Sequence, residues 1–293
     1  MIEFLSINIG LDPEIVEVFG LLITWHGFFT AVGIIAGVWL AVSVASSSRV
    51  KIDADTAYTL GVIVVACGLV GARALYVIEN YGDSSSIDSF VDIFRITEGG
   101  ISIYGAIIGG AIGGWAYGLR TKLPSAAGAD AAVFGMMLGL AIGRIGDLIN
   151  GEHIARTSDL PWAVTYSHPN SPAFFREAMH PATTYEMFGD LAILGILAMI
   201  WRWQPKSGVI FTVAFLMYAV MRFFVSFLRL DSEEPLFGLT TPQVVSVLVV
   251  LVGTPLLIYF LRRDEPERAD ITPTERQRRN LTRAERRRRL HGA

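Results

Sequence analysis

Apolar residues in this chain come in unbroken runs of about 20, the length that crosses a bilayer as an α-helix. Seven such runs are readable, near Leu21–Val42, Ala57–Ile78, Ile101–Leu119, Ala126–Ile149, Thr183–Trp201, Gly208–Leu228 and Pro242–Leu261. The connections between them are mostly short and polar. One is long: Asn150 to Pro181 is too polar to span. The pattern predicts an all-α polytopic membrane protein with seven transmembrane helices and a long external loop between helices four and five. Within that loop, Leu160-Pro161-Trp162-Ala163-Val164 and His168-Pro169-Asn170 read as extended chain and turn. A loop of this length in a compact bundle is expected to act as a lid or binding arm. The first apolar run is too long, and its flanks too acidic, for a cleaved signal peptide.

Composition agrees with the pattern. Of 293 residues, 52% are hydrophobic and 17% charged, and the mean hydropathy is +0.48. A soluble domain of this size carries more charge. The net charge of −3 hides an alternation along the chain. Arg49 with Lys51, Arg120 with Lys122, Arg202 with Lys206, and the tail are basic, whereas Glu3 to Glu17, Glu79 to Glu98 and Asp231 to Glu234 are acidic. The positive-inside rule then predicts an external N-terminus and a cytoplasmic C-terminus, which an odd number of spans satisfies. Residues 1–261 form the membrane domain in this reading. Residues 262–293, with Pro266, Pro273 and the run Arg286 to Arg289, form a disordered cytoplasmic tail drawn to anionic lipid headgroups. No aromatic residues interleave with its charge, so no nucleic-acid partner is expected. Cys67 is the single cysteine, which excludes an intramolecular disulfide. It lies mid-span in a VVACG context and is expected to be a buried, inert thiol.

With orientation assigned, each polar residue of the spans acquires a depth. His26 lies near the start of span one, Arg73 near the end of span two, and Tyr104 at the start of span three. Arg144 ends span four in the stretch GRIGDLINGE (Gly143 to Glu152), and Tyr185 with Glu186 starts span five. Tyr218 and Arg222 share a face of span six, and Arg229 follows one heptad on. All fall in the outer half of the bilayer, whereas independent decoration of the helices would scatter them. Charge inside a membrane is costly and marks where such a protein works. Plainer readings exist for some: interfacial anchoring for Tyr185 and Tyr218, snorkelling for Arg73 and Arg229, and a satisfied interfacial site for His26. Arg144 resists them, because Asp147, Asn150 and Glu152 crowd the same turn.

Glycines recur at four-residue spacing. Gly105, Gly109 and Gly113 do so in span three, and Gly135, Gly139 and Gly143 in span four. Such faces let helix backbones approach closely in lipid, so spans three and four are expected to form a tight central pair.

GRIGDLINGE, followed by LPWAV, then His180-Pro181 leading into Tyr185-Glu186, and Tyr218-x-x-x-Arg222, resemble the prolipoprotein diacylglyceryl transferase family. GARALYV around Arg73 and the GGISIYG segment fit the same family, over nearly the whole chain except the tail. The resemblance implies transfer of the diacylglyceryl group of phosphatidylglycerol to the lipobox cysteine of an exported prolipoprotein, with a thioether product and glycerol phosphate as leaving group. It implies a site in the outer half of a bacterial cytoplasmic membrane and no metal or other cofactor. By similarity, Arg144 and Arg222 clamp the phosphate, with Arg73 or Arg229 as outer support. Asn150, Gly151, Glu152, His180 and Tyr218 join them in binding phosphatidylglycerol.

The chain departs from the usual family pattern at four places. Tyr104 stands where many members have histidine, His26 where they have tyrosine, Asp147 where they have asparagine, and Ser226 where they have glutamate. The usual candidate base is therefore absent from its usual place. His26 is expected to supply it, facing Tyr104 across the site; Asp147 and His180 are rival bases, and the arginine field acting alone is a further alternative. A transporter, a lipid-binding protein without catalysis, and an inactive paralogue are the competing functions. No inverted repeat supports the first.

Overall fold

A computed structural model describes residues 6–18, 21–47, 49–80, 93, 100, 102–231 and 238–264. Glu3, most of the acidic stretch ending at Glu98, the segment after Asp231 and the arginine-rich tail from residue 265 lie outside the described residues. Seven long helices carry the fold among the described residues: α1 (Trp25–Ala45), α2 (Ala54–Asn80), α3 (Ile103–Thr121), α4 (Ser125–Asn150), α5 (Ala182–Trp201), α6 (Val209–Val225) and α7 (Thr241–Arg262). A single 3₁₀ turn, Ser226–Leu228, extends α6. Six of these helices are long and apolar enough to cross a membrane. The exception is α3, whose 19 residues include Gly105, Gly109, Gly110, Gly113, Gly114 and Gly118. Glycine adds little hydropathy.

Four short strands accompany the helices. β1 (Ile7–Ile9) pairs in parallel with β4 (Val164–Tyr166), and β2 (Glu14–Val18) pairs antiparallel with β3 (Leu21–Thr24). The first apolar run therefore divides: Leu21–Thr24 is strand, and the helix begins only at Trp25. Thr24 sets that boundary, because its backbone is extended and its Oγ1 accepts a hydrogen bond from Gly27 N at 3.1 Å.

The glycine faces pack, but not on each other. The expected α3–α4 pair is not formed; α3 lies along α2, and α4 lies along α1. A β-carbon on Gly33 would meet Gly139 O at 2.6 Å. One on Gly71 would meet Gly109 Cα at 2.8 Å. Each glycine stripe thus met a second stripe, on α1 or α2, that leaves its partner backbone equally bare. Cys67 faces Gly113 across the α2–α3 contact and is half-buried rather than enclosed.

The basic loops gather at one end of the bundle. Arg49, after α1, donates to Trp201 O at 2.8 Å and to Pro205 O at the end of α5, and its guanidinium lies 3.9 Å from the Trp201 ring centre. It thereby supplies a donor to the last carbonyl of α5 and ties down the connection that follows. Asp130 of α4 does the reverse for α6, accepting from Gly208 N and Phe211 N at 2.7 Å each while only 2% exposed. A buried carboxylate at a helix N-terminus satisfies both the orphan amides and the helix dipole. Asp130→Ala is expected to cost about 2–4 kcal/mol, read as a lower unfolding temperature in detergent; an unchanged temperature would mean that α6 starts without this cap.

Candidate active site

At the opposite end of the bundle, the polar residues converge. Gly146 of α4 makes the first contact possible: a β-carbon there would meet Trp25 O at 2.6 Å and His26 Cα at 2.7 Å. That close approach brings His26 Nδ1 to 2.6 Å from Asp147 Oδ1 and 3.3 Å from Glu152 Oε2. An ionised carboxylate only accepts, so Nδ1 is the donor to Asp147, and the lone pair of the neutral ring rests on Nε2. The His26 side chain is 43% exposed, whereas that of Asp147 is 4% exposed. Asn150 donates to Glu152 Oε1 at 2.8 Å and fixes its other oxygen. Gly151 has φ +73 and caps α4, in a place where a β-carbon would strike Ser171 Oγ at 2.6 Å and the Tyr166 ring at 2.9 Å. Its observed role is to turn the chain, holding Glu152 beside His26.

Three arginines from α4, α6 and the segment after it meet on one carboxylate. Glu186 of α5 is 1% exposed. Its Oε1 accepts from Arg222 Nη1 and, at 3.2 Å, from Arg229 Nη1. Its Oε2 lies 2.6 Å from Arg144 Nη2, an ion pair without hydrogen-bond alignment. Arg144 also donates to Asp147 Oδ2 at 2.6 Å, which joins this cluster to the His26–Asp147 pair. Arg229 donates to Asp231 through Nε at 2.9 Å and Nη2 at 2.6 Å. Buried atoms without a hydrogen-bond partner remain in the site: Arg144 Nε, Asn150 Oδ1 and both carboxyl oxygens of Asp190.

His153 completes the network, with Nδ1 2.9 Å from Asp231 Oδ2 and Nε2 3.5 Å from Asp147 Oδ2. Burial works against its charged form, but hydrogen bonds to Asp147 and Asp231 outweigh this and raise its pKa. Burial likewise opposes ionisation of Asp231, and the hydrogen bonds from His153 and Arg229 overcome it, holding its pKa below the ordinary value. The surrounding segment from Asn150 to Pro181 is anchored rather than loose. Its buried residues Ala155, Val164, Tyr166, Ala173 and Met179 form a small core with Ala182. Tyr166 donates to Leu148 O at 2.7 Å, tying that core to the end of α4.

The expected residues divide into two groups. Arg144, Arg222, Arg229, His26, Asp147, Asn150 and Glu152 come together, and Tyr218 lies within electrostatic reach of Arg144, Arg222 and Glu186. Arg73 is engaged elsewhere. It donates to Ile93 O at 2.8 Å and Gly100 O at 2.6 Å and lies 5.2 Å from the Tyr76 ring centre, whereas Arg229 meets Glu186. His180 turns towards Tyr185, whose hydroxyl also takes the Trp162 indole N–H at 2.8 Å; among the described residues its ring makes no bond to Arg144, Arg222 or Arg229. Tyr104 does not pair with His26 either. Arg222 and Glu79 are the charges that act on it, and Asp147 holds the place facing His26. Ser226, 1% exposed, turns its hydroxyl to Arg222 O at 2.7 Å, and Glu186 provides the carboxylate that Arg222 requires. Glu186 as the hub, His153 and Asp231 carry no site role in the sequence reading; the signal for Glu186 was its place beside Tyr185 at the start of span five.

His26, Asp147 and Glu152 place one ligand atom each within 4.8 Å of one another, a spacing that a metal ion would accept. Asp147 is already committed on both oxygens, to His26 and to Arg144, and the adjacent guanidinium opposes a cation. The arrangement suits an anion held beside a histidine–aspartate pair.

Fold and composition together define a multi-pass membrane protein with a cluster of buried ion pairs at one end of its helix bundle. Residues 13–259 match the prolipoprotein diacylglyceryl transferase family, and the chain belongs to it. It is 30% identical to the phosphatidylglycerol–prolipoprotein diacylglyceryl transferase of Clostridioides difficile, over 87% of this chain and 98% of that protein. It is 34% identical to the protein of that name from Acaryochloris marina, over 87% of this chain and 93% of the other. A third such protein, from Streptomyces coelicolor, is 31% identical over 85% of this chain and 72% of its own.

Two outcomes follow from this geometry. Gly146→Ala is expected to push α1 off α4 and lower both the unfolding temperature and turnover; a variant matching the parent in both would refute the contact. For His153, the raised pKa gives stability that is full below the ordinary value of 6.5 and fades as pH rises through the folded value. Asp231 contributes above its ordinary 3.8 and loses that contribution as pH falls through its lowered value. His153→Gln is therefore expected to lower the unfolding temperature more at about pH 6 than at about pH 9; equal losses at both would place the pairing outside the folding balance.

Proposed function

We propose that this protein transfers the diacylglyceryl group of phosphatidylglycerol to the thiol of a lipobox cysteine in prolipoproteins. The observation that carries this reading is the convergence of Arg144, Arg222 and Arg229 beside the His26–Asp147 pair, in a chain of this family. The arginines hold the phosphate, where fixed positive charge in a dry site stabilises the leaving oxygen. A thiol with an ordinary pKa of about 8.5 needs a base to become a thiolate. His26 Nε2 takes that proton, and Asp147 holds the ring and balances the imidazolium. The sulfur then attacks the glycerol carbon of the diacylglyceryl group, a C–S bond forms, the C–O bond to phosphorus breaks, and its electron pair leaves on glycerol phosphate. The proton on His26 passes to the departing phosphate or to water. No metal or other cofactor enters these steps.

The alternation of loop charge supports seven spans, with α3 as the third, an external N-terminus and a cytoplasmic C-terminus. In that orientation the site lies in the outer half of the bacterial cytoplasmic membrane, where exported prolipoproteins arrive. Residues 1–261 carry the reaction, and residues 262–293 are a basic cytoplasmic extension drawn to anionic membrane lipid.

The test mixes purified protein with phosphatidylglycerol and a lipobox peptide. Mass gain on the peptide cysteine with release of glycerol phosphate is expected, and Arg144→Ala should abolish both. No product from folded protein across several peptides would refute the transferase reading. His26→Gln is expected to lower turnover about 100-fold or more with little change in lipid affinity; equal losses in both would remove His26 from the role of base.

A further inference from the structure

We infer that Glu186 is an internal anion that holds the place of the substrate phosphate, so that lipid headgroup and carboxylate compete for the same arginines. The inference rests on the phosphatidylglycerol reading and adds a positioning residue to it. Arg144, Arg222 and Arg229 all meet Glu186, and a tetrahedral phosphate would present its oxygens to the same forks. These guanidiniums have no other common partner among the described residues.

The charge balance shows why one internal anion must withdraw. Three arginines meet three carboxylates, those of Asp147, Glu186 and Asp231, and Glu152 pairs with His26 beside them. Asp190, one turn along α5 from Glu186, adds a negative charge whenever it is ionised. A phosphodiester brings a further negative charge to guanidiniums that already have carboxylate partners, and like charges in a dry site repel strongly. Asp147 and Asp231 each have a histidine partner as well as an arginine, and Glu152 is bound by Asn150 and partly open to solvent. Glu186 is the carboxylate bound by arginines alone, so its displacement releases the most positive charge. The exchange is also incompletely opposed. Glu186 Oε2 is unaligned with Arg144, and Arg144 Nε is buried without an acceptor. The Nε–H of Arg144 would gain an acceptor when phosphate enters.

A purely structural counter-ion predicts the opposite response to substitution. Loss of a structural carboxylate would scatter the arginines and weaken anion binding. Loss of a competitor strengthens it. The experiment measures glycerol phosphate binding to the full-length protein in phosphatidylcholine nanodiscs, alongside thioether formation. Glu186→Gln removes the competing charge and is expected to bind glycerol phosphate about tenfold tighter than the parent, with a lower KM for phosphatidylglycerol and a lower kcat. Glu186→Asp keeps the charge but is one methylene too short to serve all three arginines, and is expected to tighten binding less. It decides the matter where the glutamine variant does not fold. Arg222→Gln should lose the affinity and so locate the anion. Unchanged or weaker binding in the folded variants, from a parent that forms product, would overturn the role of Glu186 and leave the transferase reading standing. A parent that neither binds glycerol phosphate nor forms thioether would overturn both.

Discussion

Burying a guanidinium away from water costs roughly several kcal/mol even after relaxation, and this protein buries parts of three within one helix bundle. Everything around them follows from that cost. Glu186 neutralises where the forks converge, Asp147 and Asp231 take the outward-facing N–H groups, and His153 joins the last two carboxylates. No member of this set lies next to all its partners in sequence. The carboxylates come from α4, α5 and the segment after α6, so the charges are balanced only when those elements are assembled. The site and the fold are therefore one energetic object.

Close approach of helix backbones is the second constraint. Glycine stripes bring α1 onto α4 and α3 onto α2. In lipid, where no hydrophobic effect drives helices together, such contacts supply van der Waals attraction that longer side chains would prevent. On α4 the same device has a chemical outcome. Gly146 lies one residue from Asp147, so the helix contact and the His26–Asp147 hydrogen bond form in the same turn.

Much of this was legible from sequence, because bilayer thickness imposes run lengths that a reader can count. All seven helices were readable, and the polar residues were assigned to one end of the bundle before any contact was known. Partner choice was not legible. A glycine stripe on α3 fits a stripe on α2 or α4 equally well by spacing, and only the connected structure selects α2. Leu21–Thr24 read as span because strand and helix share apolar content, and the capping by Thr24 was the overlooked signal. Within the site, Arg144 and Arg222 stood out because charge in an apolar run is conspicuous. His153 and Asp231 did not, since in a polar segment they resemble ordinary surface residues. Arg73 is as conspicuous as Arg144 and Arg222, and the bonds it makes to the carbonyls of Ile93 and Gly100 had no sequence signal.

The pairing of β1 with β4 constrains how the molecule is made. Ile7 lies beside Val164, and Ile7 N donates to Ala163 O at 2.8 Å. β1 leaves the ribosome before β4, and that partner appears only after four helices have been synthesised. Until then β1 has no ladder to join. Its docking is consequently a late event, following the synthesis of α4. A bulky fusion placed ahead of residue 7 would burden that closing step, whereas one placed after α7 would not touch it.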